Sequence, residues 1–242
     1  MENPLHHFEL HPIVNIHLMG IDLSLNKGIF VMWAALATAY FIFIIAVKSK
    51  LSLIPGKLQS VLELYLQMIK DIADDNIGKE SDKYIPFVAS LFLFIFFCNL
   101  AGLVPGSYTI TSQLVVTGTF AISIFLMTLL IGISKHGGHF ISILVPPGVP
   151  KLMIPFLVPI ELLSQLSRPL TLALRLFGNM TAGHILLGVI FGMALTAPMI
   201  VNILPFGFTV LLYGMEVFVS AIQAYIFSLL TCVYIGDVIK LH

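Results

Sequence analysis

The chain has 242 residues, of which 58% are hydrophobic and 10% are charged, and its formal net charge is zero. Soluble domains are about 45–50% apolar and about 25% charged, and a soluble core cannot hide this much apolar surface. The composition therefore excludes a soluble protein, and the zero net charge gives no sign of nucleic-acid binding. The apolar runs are continuous and helix-length, unlike the roughly 10-residue alternating segments of membrane barrels. We therefore expect an all-α, polytopic membrane protein with one integral membrane domain, 1–242.

The first apolar run predicts a membrane helix over residues 28–47, because a crossing needs about 20 apolar residues. The segment before it lacks the basic region of a cleaved signal peptide, so we expect this helix to stay as an anchor. Residues 58–83 carry apolar side chains at helical spacing on one face, and Glu63, Lys70 and Asp71 on the other. This pattern predicts an amphipathic helix at the membrane surface.

Four further apolar segments follow, and they predict membrane helices over residues 85–104, 114–134, 155–196 and 198–238. The last two are longer than an upright crossing needs, so we expect them to be tilted. The chain shows no internal repeat, low-complexity tract or soluble domain.

The distribution of lysines predicts the orientation in the membrane. The amino-terminal tail and the loop of residues 105–113 together contain one lysine, Lys27. The alternate side contains nine: Lys48, Lys50, Lys57, Lys70, Lys79, Lys83, Lys135, Lys151 and Lys240. The positive-inside rule then places the amino terminus outside and the carboxyl terminus in the cytoplasm or its equivalent. This arrangement requires an odd number of crossings, which five helices satisfy.

Polar side chains inside the last two apolar segments are the candidate functional residues. A charge at the centre of a bilayer costs about 2.5–3.5 kcal/mol on insertion scales, so such groups usually face a bundle interior, a water-filled cavity or a partner. Segment 155–196 contains Glu161, Gln165, Arg168, Arg175, Asn179 and His184, and segment 198–238 contains Asn202, Glu216 and Gln223.

Helical spacing sorts these residues into two polar environments. Glu161, Arg168 and Arg175 are seven residues apart and fall on nearly one stripe, with Asn179 one turn beyond. His184 is nine positions past Arg175, about 180° around the helix. On the last segment Glu216 and Gln223 share a face, so His184 and Glu216 are expected to form a second polar patch.

The two environments differ in their chemistry. An arginine keeps its charge at any working pH, whereas histidine and glutamate exchange protons, especially when burial shifts the pKa. A fixed charge beside titratable groups is an arrangement that separates two proton paths.

Simpler interpretations also remain open for several of these residues. Arg168 could extend to the membrane interface and pair with Glu161, and Asn179 and Gln223 could be helix–helix hydrogen bonders. Cys98 and Cys232 lie inside apolar runs and are expected to be packed thiols.

Metal and cofactor sites have weak support in the sequence. The histidines near the amino terminus (His6, His7, His11 and His17) and the pair His136 and His139 lack the spacing of a ligand set. No phosphate-binding loop and no nucleophile with a placed base is present, so we expect no cofactor, no metal and no catalytic centre.

Three longer motifs resemble one family. The segment "SRPLTLALRLFGNMTAGHILLG" resembles the signature of the a subunit of rotary F-type ATP synthases. "AIQAYIFSLLTCVYI", residues 221–235, resembles the last helix of that family, and "FLFIFFCNLAGLVPGSYTITS", residues 92–112, resembles its mid-chain segment. The resemblance runs from about residue 58 to the carboxyl terminus, and its order and spacing agree with the family.

The resemblance implies a function that the spacing alone does not. In this family the a subunit is the stator of the membrane (Fo) sector, against which a ring of c subunits turns, each c subunit carrying a membrane carboxylate. Arg175 matches the essential arginine that separates two half-channels, and Asn179 and Gln223 match its polar neighbours. His184 and Glu216 match the pair of acid and imidazole positions, in the order of alphaproteobacterial and mitochondrial members.

The resemblance further implies partners and a location. Glu161 and Arg168 match polar and basic positions of the family helix, and Gln165 lies between them. The partners would be the c ring, the b subunits of the peripheral stalk and the rest of the synthase. The expected location is the bacterial inner membrane, or the mitochondrial one for an organelle-encoded chain, with protons as the coupling ion.

Two other classes of function remain as alternatives. A secondary transporter usually shows inverted repeats with broken helices, and this chain shows no internal symmetry. A stand-alone ion channel would conduct ions without a c ring or an ATPase head, so co-purification would distinguish it.

Overall fold

The computed structural model describes residues 12–14, 17–18, 21–22, 25–48, 56–104, 109–137, 150, 152–196 and 203–240. Within these ranges six α-helices form, and all the long elements are helical. They are α1 (Lys27–Lys48), α2 (Lys57–Asn76), α3 (Ile85–Leu103), α4 (Leu114–His136), α5 (Ile154–Thr196) and α6 (Ile203–Ile239). Five of them, α1 and α3 to α6, are long and apolar enough to cross a membrane. The predicted all-α, polytopic fold is therefore confirmed.

The bounds of the membrane helices agree with the sequence pattern to within about two residues, except at the start of α6. Residues 198–202 of the last predicted helix, and with them the candidate Asn202, lie outside the described residues. Short 3-10 turns at Ser81–Lys83 and Ile110–Ser112 precede α3 and α4. The description of the chain as one domain stays a prediction.

The amphipathic helix α2 is shorter than the predicted range of 58–83. It ends at Asn76, and Gly78 follows with a φ of +84°. This left-handed conformation is open to glycine at little cost and terminates helices. The prediction was wrong for residues 77–83 because Gly78 ends the helix, and residues 79–83 are all polar and do not continue the apolar face.

Two short antiparallel strand pairs precede α1, and the sequence pattern does not predict them. β1 (Pro12–Val14) pairs with β4 (Leu25–Asn26), and β2 (His17–Leu18) pairs with β3 (Ile21–Asp22). The inner pair is nested within the outer pair along the chain. These strands are two or three residues long, so they leave the helical character of the fold unchanged.

By its internal contacts the chain divides into two compact units. The first contains residues 1–48, 93–114 and 176–225, and the second contains residues 49–92, 115–175 and 226–242. The helices α3, α5 and α6 are therefore divided between the two units. Helix α4 belongs to the second unit except for its first residue, Leu114.

The core of the second unit packs α2 against α3 and α6. Its buried members are Ile69, Ile72, Ala73, Ile77, Val88, Ala89, Cys232 and Ile235. The Tyr65 hydroxyl donates a hydrogen bond to the Ala89 carbonyl at 2.6 Å, and burial raises the pKa of Tyr65. The part of the predicted apolar face around Ile69 and Ile72 is thus covered by protein, whereas Val61 and Leu64 nearer the start of α2 are exposed. Cys232 here and Cys98 in the first unit are both buried and free, as expected.

The carboxyl end of α6 is held against the end of α2 within the same unit. Gly236 contacts the Asn76 carbonyl so closely that a Cβ atom would overlap it. The Lys240 ammonium donates a hydrogen bond to the same carbonyl oxygen at 2.7 Å. A cation at the end of a helix also interacts favourably with its dipole.

Candidate functional site

In the first unit, His184 on α5 contacts a threonine that precedes the turn before α4. The hydroxyl oxygen of Thr109 lies 2.8 Å from Nε2 of His184 and 3.3 Å from the Gly102 carbonyl oxygen near the end of α3. Thr109 is buried. A Cβ atom at position 102 would lie 2.7 Å from the Thr109 methyl carbon, so glycine leaves the space that the threonine occupies.

The acid of the predicted pair, Glu216 on α6, lies against the residue next to His184. Its side chain contacts Gly183, where a Cβ atom would overlap the carboxylate. Glu216 is only 5% exposed, and neither carboxylate oxygen has a hydrogen-bond partner in the described part of the chain. The structure therefore brings the acid to the same stretch of α5 as the imidazole, without a direct hydrogen bond between them among these residues.

Asn179 and Gln223 join α5 to α6 through their amides. Asn179 Nδ2 donates to Gln223 Oε1 at 3.0 Å, as expected for helix–helix hydrogen bonders. Gln223 is buried and, like Glu216, lies on the protein-facing side of α6. The spacing argument that placed these two residues on one face is consistent with this burial.

Several buried polar atoms of the first unit have no hydrogen-bond partner within the described ranges. Besides Glu216 they belong to Asn99 on α3, Thr111 in the turn, and Ser220 and Gln223 on α6. Buried polar groups in folded proteins are almost always hydrogen-bonded to protein or water. Each of these groups is therefore chemically suited to bind a water molecule.

Asn99, Thr109, Thr111 and Ser220 were not predicted from the sequence. Asn99 interrupts an apolar run, a signal that could have identified it. The hydroxyl residues carry almost no such signal, because serine and threonine are common and inexpensive in membrane helices. Thr109 and His184 are also 75 positions apart in the chain.

In the second unit, Arg168 on α5 pairs with Asp237 near the end of α6. The guanidinium Nη1 donates to Asp237 Oδ2 at 2.8 Å. The guanidinium carbon also lies 5.3 Å from the centre of the Tyr234 ring, within range of a cation–π interaction. The prediction that Glu161 could pair with Arg168 was wrong, because Asp237 supplies the carboxylate; Glu161 instead accepts a hydrogen bond from Gln165 at 3.0 Å.

Arg175, on the part of α5 that belongs to the second unit, has an exposed side chain. Its neighbours Leu170 and Leu174 are exposed as well, at 58% and 46%. Throughout the described ranges, no carboxylate forms an ion pair with Arg175. The chain thus presents a permanent positive charge on an apolar surface of a membrane-spanning helix, where a charge without a partner is costly.

Metal binding has no support in the part of the chain that the structure describes. No group of three or more metal-ligating side chains occurs there. His136 donates to the Val238 carbonyl at 3.1 Å. The histidines at 6, 7, 11 and 139 lie outside the described residues, as does the side chain of His17.

Among the described residues, five helices are long and apolar enough to cross a membrane, and the two longest carry charged and amide side chains. These features define the class of multi-pass membrane proteins. The chain belongs to the ATP synthase A chain family, whose model matches residues 29–236. The family resemblance identified from the three motifs is therefore confirmed.

Two relatives align with nearly the whole chain. ATP synthase subunit a of Magnetococcus marinus is 46% identical over 243 residues, which cover 99% of this chain and 94% of that protein. ATP synthase subunit a of Rhodospirillum rubrum is 39% identical over 242 residues, which cover both chains completely. Both organisms are alphaproteobacteria, in agreement with the order of His184 and Glu216.

Proposed function

We propose that this chain is the proton-conducting stator subunit of an F-type ATP synthase, and that Arg175 faces the carboxylates of a rotating c ring. The observation that carries the proposal is the exposed guanidinium of Arg175, which lies among exposed leucines without a carboxylate from the described chain. Such a charge is tolerated at membrane depth when a partner supplies the counter-charge. Family membership and the two full-length relatives support this choice of partner.

The fixed charge of Arg175 makes the exchange of protons directional. A ring carboxylate that meets the guanidinium is stabilised in its ionised form, because an opposite charge nearby lowers the pKa of an acid. A protonated ring carboxyl is neutral and enters lipid at much lower cost. Arginine itself cannot release its proton at working pH, so it attracts the carboxylate but blocks a proton leak past it.

The outer half-channel in this proposal is lined by His184 and Glu216. The unpartnered atoms of Asn99, Glu216 and Ser220 support it, since buried polar groups of this kind are satisfied by ordered water. Water, imidazole and carboxylate can pass a proton by exchange. Asn179 and Gln223, which bond to each other, then hold α5 and α6 together beside the arginine.

In this proposal the inner half-channel is lined by polar residues in the amino-terminal half of α5, before Arg175. Glu161, Gln165 and the pair Arg168–Asp237 provide charged and amide groups along one stretch of this helix. They would conduct the proton from the ring to the cytoplasm. Each elementary charge that crosses 100 mV delivers about 2.3 kcal/mol, so several protons are needed for each ATP synthesised elsewhere in the complex.

The proposed setting is the bacterial inner membrane, with the amino terminus in the periplasm and the carboxyl terminus in the cytoplasm. The partners are the c ring, the b subunits and the remaining subunits of the synthase. In this arrangement the chain conducts ions and binds no nucleotide.

The test is to replace Arg175 with alanine in the assembled complex. Arg175→Ala should abolish ATP-driven proton pumping into inverted membrane vesicles, because the ring carboxylate loses its counter-charge. Lys57→Ala removes one positive charge from the first residue of α2 and should pump at the wild-type rate. Co-purification of the c ring with both variants shows that assembly is intact, and normal pumping by an assembled Arg175→Ala complex would refute the proposal.

A further inference from the structure

We propose that Thr109 is a positioning residue for His184 and keeps its neutral imidazole in the tautomer with the proton on Nε2. The threonine hydroxyl donates to the Gly102 carbonyl and accepts from Nε2–H of His184. The Nδ1 atom is then left with a free lone pair that can receive a proton. This inference rests on the proposed role of His184 in proton transfer. It adds Thr109, a hydroxyl residue, to the charged and amide residues that the proposed function already uses.

The argument begins with the single proton of a hydroxyl group. Within the described part of the chain, Thr109 Oγ1 has two polar neighbours, Gly102 O at 3.3 Å and His184 Nε2 at 2.8 Å, but it can donate to only one of them. A carbonyl oxygen only accepts, whereas an imidazole nitrogen either donates or accepts. Both contacts are hydrogen bonds only when the hydroxyl donates to Gly102 and Nε2 donates to the hydroxyl.

The position of Gly102 strengthens this assignment. It lies in the last turn of α3, where the carbonyl groups have no partner inside the helix. The next carbonyl, that of Leu103, accepts a hydrogen bond from the Tyr213 hydroxyl at 2.9 Å. Thr109 satisfies the Gly102 carbonyl in the same manner. A hydroxyl turned toward His184 would leave this buried carbonyl without a partner among the residues that the structure describes.

The threonine is also held firmly in place. Its carbonyl accepts a hydrogen bond from the Ser112 hydroxyl at 2.6 Å, and its methyl group fills the space left by the missing side chain of Gly102. A β-branched side chain has few rotamers available. Because Thr109 is buried, the direction of its oxygen is fixed by packing as well as by hydrogen bonds.

The functional test measures passive proton flux through the reconstituted membrane sector. Thr109→Val keeps the shape and removes the hydroxyl, and we expect flux to fall about two- to tenfold, the factor that corresponds to a hydrogen bond of ordinary net strength. Thr109→Ser keeps the hydroxyl and should restore most of the flux. In a His184→Gln background, Thr109→Val should cause no further loss, because the threonine acts through the imidazole.

The outcomes separate this inference from the proposal on which it rests. Wild-type flux in His184→Gln would refute the role of His184 itself. If flux is reduced in His184→Gln but normal in Thr109→Val, only the positioning role is refuted. The positioning role alone is also refuted if both single variants lose flux and their losses multiply in the double variant. A second measurement, the ¹⁵N spectrum of labelled histidines, needs no threonine variant. The signal of His184 is identified because it is missing from the spectrum of His184→Gln. We expect the neutral imidazole of His184 to be protonated on Nε2, and protonation on Nδ1 instead would overturn the inference.

Discussion

Two glycines determine where the polar side chains of the first unit lie. Gly102 leaves room for the methyl group of Thr109, and Gly183 leaves room for the carboxylate of Glu216. Neither glycine has a positive φ, so the requirement is for space and not for backbone freedom. Glycine lowers the stability of a helix by about 1 kcal/mol relative to alanine. In these two places the missing side chain leaves space for Thr109 and for Glu216.

We therefore expect Gly183→Ala to reduce proton flux by about tenfold or more, since small displacements of a reacting group have effects of this size. The new methyl group would displace the Glu216 carboxylate, although alanine favours the helix. Gly188→Ala is the matched control on the same helix, because a Cβ atom there meets nothing within 4 Å. Flux is measured in vesicles stripped of the ATPase head, and equal flux in both variants would show that the position of the carboxylate is unimportant.

At the scale of elements, an ion pair joins the turn after α2 to the end of α4. The Lys135 ammonium donates a hydrogen bond to the Glu80 carboxylate, and Lys83 lies 4.0 Å from its other oxygen. The hydrogen bond from Lys135, supported by the positive charges of both lysines, lowers the pKa of Glu80. These contacts join the turn after α2 to the carboxyl end of α4 within the second unit.

The lowered pKa predicts a pH-dependent contribution to stability. Because the folded state binds the Glu80 proton more weakly than the unfolded state, the stabilisation is present above the unfolded pKa of about 4.3 and is lost as the pH falls through the folded value. Glu80→Gln should therefore lower the melting temperature of the purified complex slightly at pH 7 and have a smaller effect near pH 3.

Lys135→Gln should reproduce this difference, and the double variant Glu80→Gln/Lys135→Gln should lose little more than either single variant. An equal effect of Glu80→Gln at both pH values would mean that the ion pair does not contribute. The measurement is thermal unfolding in detergent, with the pH as the only variable between runs.

The elements themselves were largely predictable from the sequence, and the exceptions have physical causes. The five membrane helices follow from the length of the apolar runs alone. The predicted end of α2 was too late because Gly78 ends the helix, and the polar residues 79–83 do not continue its apolar face. The strand pairs before α1 are two or three residues long and contain no regular alternation of polar and apolar residues.

The site was only partly predictable, because side-chain pairing across helices depends on register between distant segments. The charged and amide residues could be identified from their cost in a membrane, and helical spacing placed Gln223 and Glu216 on one face. The same reasoning could not choose Asp237 over Glu161 as the partner of Arg168. It also could not find Thr109, whose contribution is one hydroxyl group in an uncharged loop.

At the scale of the whole molecule, the two longest helices exceed the thickness of a membrane. With a rise of about 1.5 Å per residue, α5 and α6 are about 65 Å and 55 Å long, whereas the hydrocarbon core is about 30 Å thick. Helices of this length can be accommodated by a strong tilt, as expected from the length of the two apolar segments. A tilted pair would present a long surface to a cylindrical partner, which is consistent with the proposed contact to a ring.

The orientation of the chain in the membrane can be predicted from the distribution of its lysines. The nine lysines assigned to one side and the single lysine assigned to the other predict that the amino terminus lies in the periplasm and Lys57 in the cytoplasm. The native cysteines, Cys98 and Cys232, are buried, so they should be inert toward a charged maleimide. Glu2→Cys should then react with this reagent in intact spheroplasts, and Lys57→Cys should react only in inverted vesicles.

The unsubstituted chain serves as the control for the native cysteines and should remain unlabelled in both preparations. Because five crossings place the two ends on opposite sides, a cysteine introduced at His242 should behave like the one at position 57. Labelling of positions 2 and 242 from the same side would require an even number of crossings. Labelling of position 57 from the periplasm would instead reverse the orientation, and with it the assignment of His184 and Glu216 to the outer half-channel.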